Sequence, residues 1–192
     1  MRCIIHVGTH HTGTTSLQKV LSDQSDYLKD IGIIYPESIK EGYQHSLLPG
    51  AYLPNHYALK KNRSLDVNFY IKKLNEEIKR EKYKLCFISS EVFTELLNED
   101  IKSLFELLKI LEKIFDDISI MYTSRDFKNR AFSAHKAQIR LSSNNPTFRT
   151  EIFNAPVRFR KKIDVINIEG QKNFKSFNYK IPGDISSAAF FI

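Results

Sequence analysis

The sequence predicts an α/β fold of three α/β/α layers, with a parallel sheet in the middle. Three observations carry this. Short apolar runs, Cys3-Ile4-Ile5, Leu85-Cys86-Phe87-Ile88 and Ile118-Ser119-Ile120-Met121-Tyr122, alternate with segments of helical periodicity. A glycine-bearing turn joins the first run to the first helical segment. The chain has 192 residues, 42% of them hydrophobic, which suffices for one core but not for two full domains. A single domain over residues 1–192 is expected.

The elements follow in order. After the first strand, Thr14 to Leu28 places Leu17, Val20, Leu21 and Leu28 at helical spacing, with Thr14, Thr15 and Ser16 able to cap its start. Gly32 to Pro36 reads as a short extended piece. Pro36 to Arg63 is rich in Gly, Pro, Asn, His and Tyr without periodicity, as expected of a stretch that contacts substrate. Asp66 to Glu81 resumes a helix through Phe69, Tyr70, Leu74 and Ile78, and the strand from Lys84 to Ile88 ends at Ser89-Ser90-Glu91. Ile101, Leu104, Phe105, Leu108, Leu111 and Phe115 form an amphipathic stripe introduced by Asn98, Glu99 and Asp100. The strand Ile118 to Tyr122 leads to a helix from Asp126 to Arg140. A last strand is expected over Ile163 to Ile168, before a weakly patterned tail. Strands alternating with helices imply right-handed crossovers and parallel pairing.

Composition narrows the function. The first residues lack the continuous apolar stretch of a signal peptide and no later run has transmembrane length, so a cytoplasmic protein without membrane contact is expected. Cys3 and Cys86 sit in apolar segments without metal-ligand spacing, which points to buried thiols. The net charge of +7 fits an anionic ligand, yet the lysines are scattered and no nucleic-acid motif is present. No nucleic-acid partner is expected, and oligomeric state is not legible.

In a parallel sheet, loops at the carboxyl ends of the strands build the site. Three such places hold suitable chemistry: Gly8 to Thr15, Ser89 to Glu91, and Ser124 to Asp126. Amides of a glycine turn at a helix start, together with hydroxyls of Thr12, Thr14, Thr15 and Ser16, suit a phosphate, although an ordinary capped turn would use the same residues. Gly8 and Gly13 have P-loop spacing, but Thr14 stands where an NTPase carries lysine, which argues against ATP or GTP hydrolysis. No apolar strand ends in a Walker-B-type Asp either, which disfavours a nucleotide kinase or NTPase.

With residues downstream, the run His6 to Gln18 resembles the 5′-phosphosulfate loop of sulfotransferases that use 3′-phosphoadenosine 5′-phosphosulfate (PAPS). Arg125, followed eight residues later by Ser133, matches the family's pair for the 3′-phosphate. The resemblance spans about Arg2 to Arg140. It implies a P-loop-like fold, PAPS as co-substrate without a metal, and a carbohydrate or small-molecule acceptor carrying a hydroxyl or amine. On that basis Thr9, His10, His11, Thr12, Gly13, Thr14, Thr15, Ser16, Arg125 and Ser133 would hold the cofactor. Glu91 would be the general base, unless it is an acid at the start of the next helix stabilising that helix's dipole. Arg125 has its own alternative, a surface pair with Asp126 or Glu91.

The family places Lys at the position of His11, whose imidazole, with an ordinary pKa near ~6.5, is largely neutral at pH 7. His11 is therefore a catalytic candidate with weakened charge, and a catalytically silent PAP-binding protein of the same fold is the alternative function. His45 and His56 are secondary candidates for base or substrate contact. The neighbouring pair His10-His11 lacks the company expected of a metal site. The family's basic, glycine-containing C-terminal loop has no counterpart, so the C-terminal part is expected to be short.

Overall fold

The structure, a computed structural model, describes residues 1–8, 13–56, 59, 63–124 and 174–180, with 124 and 174–180 as backbone. The elements are β1 (Arg2–Gly8), α1 (Thr14–Asp23), α2 (Ser25–Asp30), β2 (Ile33–Ile34), α3 (Leu47–Gly50), α4 (Val67–Ile78), β3 (Leu85–Ser89), α5 (Val92–Glu99), α6 (Ile101–Leu111), β4 (Asp117–Ser124) and β5 (Phe174–Lys180). The strands form one sheet in the order β2-β3-β1-β4-β5 with every pair parallel. Helices flank it, as predicted for the α/β class.

Burial explains the strands. Cys3, Ile5 and Val7 of β1, Cys86 and Ile88 of β3, and Ile118 and Ile120 of β4 share one face of the sheet by register and lie in one core. Cys3 and Cys86 pair across β1 and β3 as free thiols, and burial pushes the Cys86 thiol well up. The helices add their stripes: Tyr70, Leu74 and Ile78 from α4, and Leu104, Leu107, Leu108 and Leu111 from α6. Each leucine so buried stabilises the fold by about 1.5–3 kcal/mol relative to exposure.

Two expectations change. The single helix expected over Thr14 to Leu28 is two, broken at Gln24, where ψ turns to 19°. The run Ser22-Asp23-Gln24-Ser25-Asp26 offers no apolar residue to pack there, and its short polar side chains compete with the helical ladder. Phe174–Lys180, within the expected tail, forms β5 alongside β4 from Ile118↔Phe174 to Ser124↔Lys180. The helix expected over 126–140 and the strand expected over 163–168 lie outside the described residues. Among the described residues no helix is long and apolar enough to cross a membrane.

Topology selects the site. From β1 the chain moves to the β2 edge, returns through β3 beside β1, then crosses to β4 and β5 on the other side. The order reverses about β1, and ligands of such sheets bind outside the carboxyl end of the strand at the reversal. That end is Gly8.

Candidate functional site

The chain leaves β1 at Gly8 and enters α1 through Gly13, whose φ of 85° lies in the left-handed region that favours glycine. The amides of Ser16 and Leu17 both donate to the Gly13 carbonyl, at 3.2 and 3.4 Å. Those of Thr14 and Thr15, earlier in the same turn, precede the first possible intrahelical acceptor and face outward with the positive end of the helix dipole. Thr15 and Ser16 are exposed and Thr14 is buried. Of the residues expected to hold the cofactor, Thr9, His10, His11, Thr12, Arg125 and Ser133 lie outside the described residues.

Glu91 and Thr14, 77 residues apart in sequence, meet here: the Thr14 hydroxyl donates to Glu91 Oε1. Glu91 does occupy the N-cap of α5, but its side chain makes no capping bond. Ser90 takes that task, its Oγ accepting from the Val92 amide at 3.1 Å. The carboxylate turns from its own helix toward the start of α1. Thr94 of α5 donates to the Gly8 carbonyl at 2.7 Å, so β1 and α5 are fastened at the same edge.

Beneath this junction is a polar cluster that the sequence reading leaves unremarked. His6, 1% exposed, places Nδ1 2.8 Å from Ser89 Oγ and Nε2 3.2 Å from Thr123 Oγ1. The Gln18 amide of α1 also donates to Ser89 Oγ, at 3.2 Å. Parallel register brings this about, since His6 pairs with Ser89 on one side and Gly8 with Thr123 on the other. Burial lowers the His6 pKa to about 4, opposed by the charge of Glu91. A polar residue near the carboxyl end of each of three apolar strands is the signal that could have found it.

His45 corrects an expectation. It is fully buried, its Nδ1 accepts from the Ser89 amide and its Nε2 contacts the Pro36 carbonyl, both at 2.8 Å. Because an amide can only donate, the ring hydrogen sits on Nε2 and donates to Pro36. Burial drives its pKa to about 3, and the Tyr35 ring packs edge-on at 4.2 Å. With both nitrogens committed to the backbone, His45 clamps the 36–46 stretch onto β3 and has no lone pair to offer a substrate. His56 is half-buried after α3. Among the described residues no three His, Cys, Asp or Glu side chains gather to hold a metal.

No family model matches the chain, and no curated protein matches it in sequence. Among solved structures, a sulfotransferase from Alicyclobacillus acidocaldarius aligns with a TM-score of 0.52 at 15% identity, over 91% of this chain and 72% of that one. That likeness shows the fold. A gluconokinase from Sinorhizobium meliloti 1021 aligns at a TM-score of 0.39 and 10% identity, over 97% of this chain and 88% of that one, and bears no further weight.

Proposed function

We propose that the chain is a cytoplasmic PAPS-dependent sulfotransferase whose base is Glu91. The observation that carries this is the Thr14–Glu91 contact, which sets a carboxylate beside an amide-lined helix start at the carboxyl end of β1. The two groups the reaction needs, an anion cradle and a proton acceptor, thereby share one edge of the sheet.

The Gly13 to Ser16 turn, with Thr9, His10, His11 and Thr12 before it, receives the 5′-phosphosulfate, and Arg125 and Ser133 receive the 3′-phosphate. Glu91 takes the proton from the acceptor hydroxyl or amine as its oxygen or nitrogen bonds to sulfur. The bond from sulfur to the bridging phosphate oxygen breaks, and the departing PAP carries the electron pair. Charge grows on that oxygen, where the α1 amides and a protonated His11 stabilise it. The Thr14 hydroxyl holds one carboxylate oxygen of Glu91, leaving the other to face the acceptor.

Calorimetric titration is expected to give PAP at least tenfold tighter binding than AMP, and equal or absent binding of both rejects the cofactor. Glu91→Gln is expected to lower PAPS turnover by about 10²-fold or more, within the range of general-base contributions. Unchanged turnover removes Glu91 from the role. The imidazole of His11 in place of an ammonium favours a second reading, a silent PAP-binding protein, which predicts PAP binding with no turnover across acceptors.

A further inference from the structure

We propose that Gln18 is a positioning residue for Glu91. With Thr14 it ties α1, whose start forms the anion cradle, to segment 89–91 at two points, so that cradle and base keep one spacing. This rests on the sulfotransferase reading above.

The buried residues of α1 are Thr14, Leu17 and Gln18. A helix that only packs on a sheet would carry apolar side chains at all of these positions, because a buried amide or hydroxyl lowers stability unless it is hydrogen-bonded. Thr14 and Gln18 are 2% and 3% exposed. Four residues apart, they stand on one face of α1, separated by about 6 Å along its axis. Both donate to the same short segment: the Thr14 hydroxyl to Glu91 Oε1, and the Gln18 amide to Ser89 Oγ at 3.2 Å.

Two bonds do what one cannot. A helix held through Thr14 alone can pivot about that contact while the contact survives. A second bond one turn further along stops the pivot, since any rotation or tilt that keeps one bond breaks the other.

The receiving end is fixed as well. Ser89 is the last residue of β3; its amide donates to His45 Nδ1 at 2.8 Å, and its hydroxyl also lies 2.8 Å from His6 Nδ1. The Ser90 amide donates to the His6 carbonyl at 3.1 Å, and the Ser90 hydroxyl to Gln44 Oε1 at 3.2 Å. Ser89 is therefore an anchor in the sheet, and Gln18 registers α1 upon it. A phosphosulfate held at the start of α1 then lies at a set distance from the Glu91 carboxylate. Reacting groups tolerate little error, since a displacement of ~1 Å can cost about 10²-fold in rate.

The test is Gln18→Met, which keeps the length and helix preference of the side chain and removes its amide. PAPS turnover per folded molecule is expected to fall about tenfold, with PAP affinity within twofold of the unaltered protein because the α1 amides remain. Val20→Ala, a half-buried position on the same helix outside the pair, is expected to lower the urea midpoint and leave turnover within twofold. Added to Thr14→Val, Gln18→Met is expected to cost less than a further threefold, because either cut alone already frees the helix. Turnover unchanged by Gln18→Met, an equal loss from Val20→Ala, or full additivity with Thr14→Val overturns the proposal. Hydrogen exchange without nucleotide reads the tie apart from turnover. Gln18→Met is expected to speed exchange of α1 amides 17–21 at least threefold, and an unchanged rate also overturns the proposal. Faster exchange in Gln18→Met, in a protein that neither binds PAP nor turns over PAPS, rejects the cofactor alone; PAPS turnover indifferent to Gln18→Met rejects the positioning role alone.

Discussion

Thr14 is read from sequence as a phosphate contact, whereas the structure gives its hydroxyl to Glu91, and the two roles separate by substitution. Thr14→Val keeps the branched shape and the backbone amide and removes only the hydroxyl, at a site 2% exposed. PAP affinity is expected to change less than threefold. Turnover is expected to fall about tenfold, the equivalent of one ordinary side-chain hydrogen bond of about 1.4 kcal/mol. Thr14→Ser is expected to restore most of it. Should Val and Ser behave alike in PAPS turnover, the hydroxyl does not orient the base. Glu91 itself was legible as a carboxylate at a strand end. Its direction was not, because that depends on Ser90 taking over the capping of α5.

The elements whose apolar residues all face one way were legible, and α4 is the clearest. Its stripe Tyr70, Leu74 and Ile78 follows Asp66, which accepts from the Asn68 amide at 2.9 Å as the N-cap. Asp66→Ala is expected to lower stability by about 1 kcal/mol, the usual loss for such a cap. It would appear as a lower urea midpoint with an unchanged slope, and Asp66→Ser should recover most of it. β5 was illegible for a physical reason. Phe174, Lys175, Ser176, Phe177, Asn178, Tyr179 and Lys180 have no period of two, and only the seven-residue register with β4 makes a strand of them. The β-branched residues Ile163, Val165, Ile166 and Ile168 compete for the same assignment in sequence. His6 was hidden likewise, since a histidine inside an apolar strand acquires partners only when Ser89 and Thr123 arrive from other strands.

At the scale of the whole molecule, two buried neutral histidines oppose the acid that the proposed chemistry favours. His6 and His45 have pKa values lowered to about 4 and about 3, against about 6.5 in the unfolded chain. Below that value the unfolded state binds more protons than the folded one, so stability rises with pH and is lost as pH falls from about 6.5 toward 4. Between pH 7 and pH 5 the pair is expected to remove roughly 3–4 kcal/mol, a large share of the stability of an ordinary domain. Urea unfolding at the two pH values measures it, and an unchanged midpoint would show that these histidines do not govern acid stability. In the proposed mechanism His11 would pull the other way, because the charge an imidazole places at the leaving oxygen grows as pH falls. PAPS turnover is therefore expected to peak on the acid side of neutral, above the range in which His6 and His45 destabilise the fold. His11→Lys makes the charge permanent and frees activity from the acid limb, so the optimum should move to pH 7 or above and turnover at pH 7.5 should rise several-fold. The unfolding profile should stay where it was, since His6 and His45 are untouched. An optimum that does not move would mean that charge at position 11 does not limit the reaction.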